Sequence, residues 1–300
     1  MSIVSCQHLD KKYKKQYALK DLTIELEENR IIGLIGRNGA GKTTLLKTLA
    51  GQIVPTGGEV KVFGENPFNN LKLSANTIYV DDQMQFSLEM RIHEILVAAE
   101  MFYENWNREL ADRLIYYFGV DRYDFHDQLS KGMASTFNAI LGLASRCPLT
   151  IFDEPTTGMD YSVRQDFYRA LLKDYIAHPR TIIVSSHLLN ELESILEEIV
   201  LIKNGKCILH ESIEDFKEYA IGLSGDKNVI QSIVDHDVII HEKELSESQV
   251  YIAVDNHLSE KDITGLKQQG VQMTSVEAAD LSMFLTNDTR GGIDDVFKSS

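Results

Sequence analysis

The stretch IIGLIGRNGAGKTTLLKTLAGQ, residues 31–52, decides the fold. It opens as an apolar run of strand length and closes with leucines at helical spacing. Between these lies GRNGAGKT, Gly36 to Thr43, which fits G-x-x-x-x-G-K-[ST] in the strand-to-helix context that pattern requires. Gly36, Gly39 and Gly41 let the backbone curl until several N–H groups point inward, a cradle for phosphate oxygens. Arg37, Asn38, Ala40 and Thr44 are the loop's further candidate contacts. Lys42 supplies a point charge for β- and γ-phosphates, and the Thr43 hydroxyl a ligand for Mg²⁺.

A second apolar run, in LTIFDEPTTGMD at 149–160, predicts a strand that delivers Asp153 and Glu154 to its C-terminal end. Asp153 is a candidate Mg²⁺ ligand, directly or through water. Glu154 is placed to accept a proton from an attacking water. An Asp-Glu pair before a proline is by itself no more than a solvated turn, and its pairing with the loop at 36–43 raises it above that. His187 ends the next predicted strand, IIVSSH, from which its imidazole could reach a γ-phosphate or orient Glu154. Lys42, Glu154 and His187 are therefore the catalytic candidates.

The 300 residues suit one large domain or two smaller ones. A formal charge of -15 disfavours a nucleic-acid or anionic-lipid surface as the main partner. KKYKK at 11–15 is the single short basic cluster. Three dispersed cysteines form neither a disulfide framework nor a zinc spacing, so reduced thiols are expected. The N-terminus lacks a signal-peptide pattern, and no window approaches a transmembrane helix. Any service to a membrane is expected to run through partners.

Short apolar runs alternating with amphipathic ones predict an α/β domain over 1–217, with an inserted helical subdomain at about 84–147. The remainder, 218–300, predicts a small α/β accessory domain of β-α-β-β-α-β order, a ferredoxin-like extension. Ser259 and Asp262 mark a helix start there and Gly270 its stop. A closing amphipathic helix is expected in SVEAADLSMFLTN.

QLSKGM, 128–133, reads first as a turn opening a helix, with Ser130 as cap and Met133 and Phe137 on an apolar face. A Ser followed by Gly at a helix start also presents backbone amides to an anion.

Together these motifs, in this order over about residues 3 to 215, resemble the nucleotide-binding subunit of an ABC transporter, a P-loop NTPase fold. The resemblance implies ATP and Mg²⁺ as cofactors. It aligns Tyr13 with the aromatic residue that stacks on adenine, with Tyr17 as its neighbouring competitor. It aligns Met159-Asp160 with a loop that meets the opposing subunit, and QLSKGM with the signature LSGGQ. Ser130 and Gly132 would then bind, in trans, the γ-phosphate held by a second ATPase subunit. Two departures stand out. Lys131 and Met133 replace the first Gly and the Gln of the signature, and IYVDDQMQF places Asp82 where Gln is expected, with Gln83 one residue on. Gln83 is the favoured metal-side candidate, Asp82 the alternative.

Within the superfamily the chain is similar to ATPases of ABC-2-type exporters, the bacitracin-exporter group, and more narrowly to those of peptide-toxin exporters such as the staphylococcal phenol-soluble modulin system. The resemblance implies an ATP-driven export motor for a peptide, toxin or drug. Its partners are a transmembrane permease subunit and a second ATPase, as homo- or heterodimer, at the cytoplasmic face of the plasma membrane. The docking surface for the permease is expected near SLEMRIHEILVAAEMFYENW, 87–106. The competing readings are a soluble ABC ATPase outside transport and a regulatory ATP-binding subunit. Single-domain architecture and strong acidity oppose the first; Glu154 and His187 oppose the second.

Overall fold

The computed structural model describes residues 2–287, and the chain divides between Ile213 and Glu214 into two units. The last residues of the expected accessory domain, 288–300, lie outside the described residues.

In the first unit β1 (Ser2–Tyr13) and β2 (Gln16–Glu27) form a hairpin, β3 (Ile31–Ile35) runs into α1 (Lys42–Leu49), and β4 (Gly57–Val62) follows. Next come α2 (Leu71–Asn76), β5 (Thr77–Val80) and three helices, α3 (Ile92–Phe102), α4 (Arg108–Phe118) and α5 (Lys131–Ser145). Then β6 (Leu149–Asp153), α6 (Tyr161–Ala177), β7 (Thr181–Ser186), α7 (Leu189–Leu192), β8 (Glu198–Lys203) and β9 (Lys206–Ser212) complete it.

Six strands form one sheet in the order β5-β6-β7-β3-β8-β9. All neighbours are parallel except β8 and β9. A parallel sheet is covered on both faces, so its strands read as unbroken apolar runs. Accordingly β3, β6 and β7 are buried at every position. Parallel pairing also delivers the C-terminal ends of β3, β6 and β7 to one edge, where open sheets bind ligands. Here β7 lies between β6 and β3, so the strand bearing Asp153 is one strand removed from the one that feeds the Gly36–Thr43 loop.

A second, antiparallel sheet has the order β2-β1-β4. The alternating burial of β2 shows one face turned to the core. Leu9, Leu19 and Leu22 from this sheet pack with Leu45, Leu46 and Leu49 of α1 and with Ile32, Ile151 and Ile183 of the larger sheet. Burying each such side chain stabilises the fold by about 1.5–3 kcal/mol. The phosphate loop is thus carried on a helix wedged between two sheets.

In the expected helical segment, α5 does more than the sequence suggests. Its first turn is open, yet every residue from Ser135 to Ser145 is buried. Gly142 sits so close to the sheet that an added Cβ would lie 2.4 Å from Cε1 of Phe152 in β6. One helix therefore ties the helical segment rigidly to the sheet.

The second unit opens with α8 (Ile213–Glu218), whose first residue still belongs to the first unit. It continues with β10 (Ala220–Asp226), α9 (Lys227–Ile233), β11 (Ile239–Glu244), β12 (Gln249–Asp255), α10 (Glu260–Gln268), β13 (Gln272–Ser275) and α11 (Ala278–Thr286). Its strands form an antiparallel sheet in the order β11-β12-β10-β13. Leu223, Ile230, Val250, Ile252 and Leu266 make its own core. Ser259 caps α10 by accepting from the Asp262 N–H at 3.2 Å. Gly270, at φ 80, takes the left-handed turn after that helix.

Candidate nucleotide site

The loop between β3 and α1 lines a cavity of ≈ 330 Å³ together with Tyr13, Ala18 and Glu154. Arg37, Asn38, Gly39, Ala40, Gly41, Lys42, Thr43 and Thr44 all line it. Gly41 adopts φ 112, a conformation side chains rarely take, and a Cβ there would lie 2.4 Å from the Ala18 carbonyl. Gly36 is the exception among the expected contacts, because it lies beneath the loop rather than on the cavity wall. Its Cβ position is 2.4 Å from the Ile202 carbonyl, and its own carbonyl accepts from Lys42 Nζ at 2.7 Å.

Tyr13, the last residue of β1, lines the cavity, and Tyr17 does not. Lys11 Nζ stands 5.1 Å from the Tyr13 ring centroid and donates to the Val54 carbonyl at 2.7 Å.

Lys42 is 6% exposed, and a buried charge needs partners. Besides Gly36 it has Glu154, whose Oε1 lies 3.2 Å away. The other oxygen, Oε2, lies 3.0 Å from His187 Nδ1. A carboxylate can only accept, so Nδ1 is the donating nitrogen. That tautomer leaves neutral His187 no N–H for a phosphate at Nε2, so the geometry fits orientation of Glu154. Glu154 itself has φ 48, a backbone state costing about 1–3 kcal/mol that surrounding contacts must hold. Its N–H donates to Ser185 Oγ at 3.0 Å, and its carbonyl accepts from Thr157 N at 3.2 Å and Thr157 Oγ1 at 2.9 Å.

Asp153 is buried, and each of its oxygens accepts one hydrogen bond. Ser185 Oγ donates to Oδ1 at 2.5 Å, and the Tyr79 hydroxyl donates to Oδ2 at 2.9 Å. Burial, reinforced by the Asp153 carboxylate, pushes the Tyr79 phenol far above its ordinary value, so it stays a donor. Sequence reasoning missed Ser185 and Tyr79. The available signal was a polar residue inside each of two apolar strands that pair with β6.

Ser130 caps α5 by accepting from Met133 N at 3.3 Å, which leaves its own O–H as a donor. Neither Ser130 nor Gly132 lines this chain's cavity, and neither do Asp82 and Gln83. Asp82 instead pairs with Lys131 at 3.0 Å, and the Gln83 N–H donates to Asp81 Oδ1 at 3.0 Å. Thus the structure brings together Tyr13, the Arg37–Thr44 loop, Asp153, Glu154 and His187, and places Gln83 and Asp82 beside α5.

A family profile described as ABC transporter matches residues 19–157, from β2 through Glu154. The bacitracin transport ATP-binding protein BcrA of Bacillus licheniformis is 27% identical over 267 residues, covering 87% of each chain. The chain is similar to the ATP-binding subunits of ABC transporters, a family of ATPases.

A second relative of that family, the ABC transporter ATP-binding protein YtrB of Bacillus subtilis, is 25% identical over 216 residues, 72% of this chain and 74% of that one. Among solved structures, an ATP-binding subunit of an ABC transporter superposes with a TM-score of 0.64 at 24% identity, over 72% of this chain and 92% of the other. The dimeric cassette MJ0796 bound to ADP and phosphate gives 0.62 at 21% identity, over 70% and 98%. These likenesses carry the P-loop ATPase fold. A further profile, described as an AAA domain, putative AbiEii toxin, Type IV TA system, matches residues 124–193, the part of the chain that holds Asp153, Glu154 and His187.

Proposed function

We propose that this chain is the ATP-hydrolysing motor of an exporter. In this reading it dimerises on ATP and drives a peptide, toxin or drug through a separate membrane subunit. The observation that carries the hydrolytic part is the contact of Glu154 with both Lys42 and His187 at the wall of one cavity. The exporter part rests on similarity along most of the chain to a bacitracin transport protein.

Lys42 binds the terminal phosphates once it turns from Glu154 toward them, and the loop N–H groups hold the oxygens around it. Tyr13 stacks on the base. Glu154 accepts the proton of the attacking water, with His187 holding the carboxylate in place. Thr43 and Asp153 offer the hard oxygen donors that suit Mg²⁺. They are the residues that would hold it, and the bound ion would neutralise charge on the phosphates. Ser185 and Tyr79 fix the Asp153 carboxylate in readiness. Ser130 and Gly132 of each chain complete the site of the other subunit.

No helix among the described residues is long and apolar enough to cross a membrane. The proposed location, the cytoplasmic face of the plasma membrane, therefore depends on the membrane subunit. The test is co-purification with that subunit and vesicle transport by wild type and Glu154→Gln. ATP-dependent transport lost in the variant supports the motor; transport unaffected by it removes Glu154 from the reaction.

A further inference from the structure

Lys131 and Asp82 are separate departures from the family pattern in sequence, 49 positions apart, and in the structure they are one contact: Lys131 Nζ lies 3.0 Å from Asp82 Oδ2. We propose that this pair is a positioning device for the ATPase reaction. It ties the segment after β5 to the first residue of α5 and so sets how Ser130 and Gly132 are presented to the partner subunit. The proposal rests on the ATPase reading above.

The first argument is electrostatic. Lys131 is the first residue of a 15-residue helix, the end whose exposed N–H groups repel a cation. A Lys there is unfavourable unless a carboxylate neutralises it, and Asp82 does so. Asp82 is therefore engaged with the helix start, and both departures are explained by each other.

The second argument is mechanical. The start of α5 is seated on the loop that follows Glu154. A Cβ on Gly132 would lie 2.3 Å from the Gly158 carbonyl, so only Gly permits that approach. Ser135 Oγ donates to the Thr157 carbonyl at 2.8 Å, and Thr157 N donates in turn to the Glu154 carbonyl. The Lys131 stem lies over Gly158, its Cγ 3.3 Å from where a Cβ would stand. With one side seated, the attitude of the helix start is set by what holds the other side. The holder there is Asp82, and its own segment is anchored. Asp81 Oδ2 lies 3.4 Å from Lys47 of α1, and the Asp81 carbonyl accepts from Asn138 Nδ2 of α5 at 3.1 Å.

The two partners are not equivalent. Removing Asp82 leaves a cation at a positive helix end, whereas removing Lys131 leaves a carboxylate there, which the helix favours. Asp82→Asn should therefore harm turnover more than Lys131→Met, and Lys131→Met added to Asp82→Asn should recover part of the loss. The charge-swapped double variant, Asp82→Lys with Lys131→Asp, restores a pair and places Asp at a good N-terminal position.

The experiment measures kcat, ATP KM, affinity for a fluorescent ATP analogue and Tm for these full-length variants, with the membrane subunit present. Expected is a kcat loss in Asp82→Asn of roughly 3–10-fold, within the range of couplings between contacting residues. Analogue affinity should change less than about twofold and Tm should hold, as expected for an exposed pair. The charge swap should regain at least half of wild-type kcat. A swap no better than the worse single variant, or an Asp82→Asn with unchanged kcat, overturns the pair's role. Glu154→Gln is assayed alongside. If no chain, wild type included, turns over ATP, the ATPase reading falls and the pair's role with it; if Glu154→Gln keeps full turnover, only Glu154 is removed as the base. If it loses turnover while the pair variants act additively, only the pair's role falls.

Discussion

The Lys42 ammonium and the Glu154 carboxylate form a 3.2 Å ion pair between the start of α1 and the end of β6. In the proposed reaction each group is held by the one it must leave: a nucleotide phosphate would compete for Lys42, and Glu154 would then be freed to take a proton. Glu154→Gln should keep ATP binding, accumulate as an ATP-bound dimer and lose turnover by about 10²–10⁴-fold. Phosphate release and size-exclusion chromatography with ATP check this. Lys42→Ala should instead fail to retain nucleotide, as equilibrium binding would show.

Ser185 is a single hydroxyl shared by two functional groups, donating to Asp153 and accepting from the Glu154 N–H. In Ser185→Ala the Glu154 N–H loses its acceptor and a buried carboxylate oxygen loses a donor. The expected cost is about 1–3 kcal/mol, or several degrees in Tm for a domain of this size. Turnover should also need a higher Mg²⁺ concentration for half-maximal rate. A thermal melt and an Mg²⁺ titration read the two effects separately.

His126 sits against the Phe86 and Phe137 rings, with Nε2 2.9 Å from Asn138 Oδ1. Burial lowers its pKa below the ordinary value, and the Asn138 bond and Asp127 offset that only partly. The unfolded chain then binds the proton first as pH falls, so stability is lost from about pH 6.5, the ordinary His value, downward through the depressed native value. Urea melts between pH 7.5 and 5 should show a decline that His126→Gln reduces. Identical pH slopes in the two proteins would refute this.

The cysteines differ in reach. Cys6 and Cys147 are buried, and burial pushes their thiols up to about 12 and about 11. At pH 8 both thiols therefore stay protonated and unreactive. Cys207 is half-buried, with its thiol also raised by burial. Native protein treated with iodoacetamide should label at Cys207 first, and all three should label after denaturation. Mass spectrometry of the labelled peptides distinguishes the sites.

Residues 31–52 and 149–160 carried their own structure in the sequence, because a buried parallel strand must be apolar throughout and a phosphate loop must have glycines at fixed steps. From those local requirements, and from the apolar run at 181–186, the P-loop fold and the grouping of Lys42, Asp153, Glu154 and His187 were legible. What tertiary structure alone decided are relationships across the sheet and between distant loops. Tyr79 and Ser185 meet Asp153 only because β5 and β7 flank β6. Gly36 supports the loop from below only because Ile202 of β8 lies there. Lys131 and Asp82 each stood as an unexplained departure, since a pairwise Coulomb contact leaves no trace in either residue's neighbours along the chain. Local periodicity records which face a residue buries; it does not record which distant charge that residue will meet.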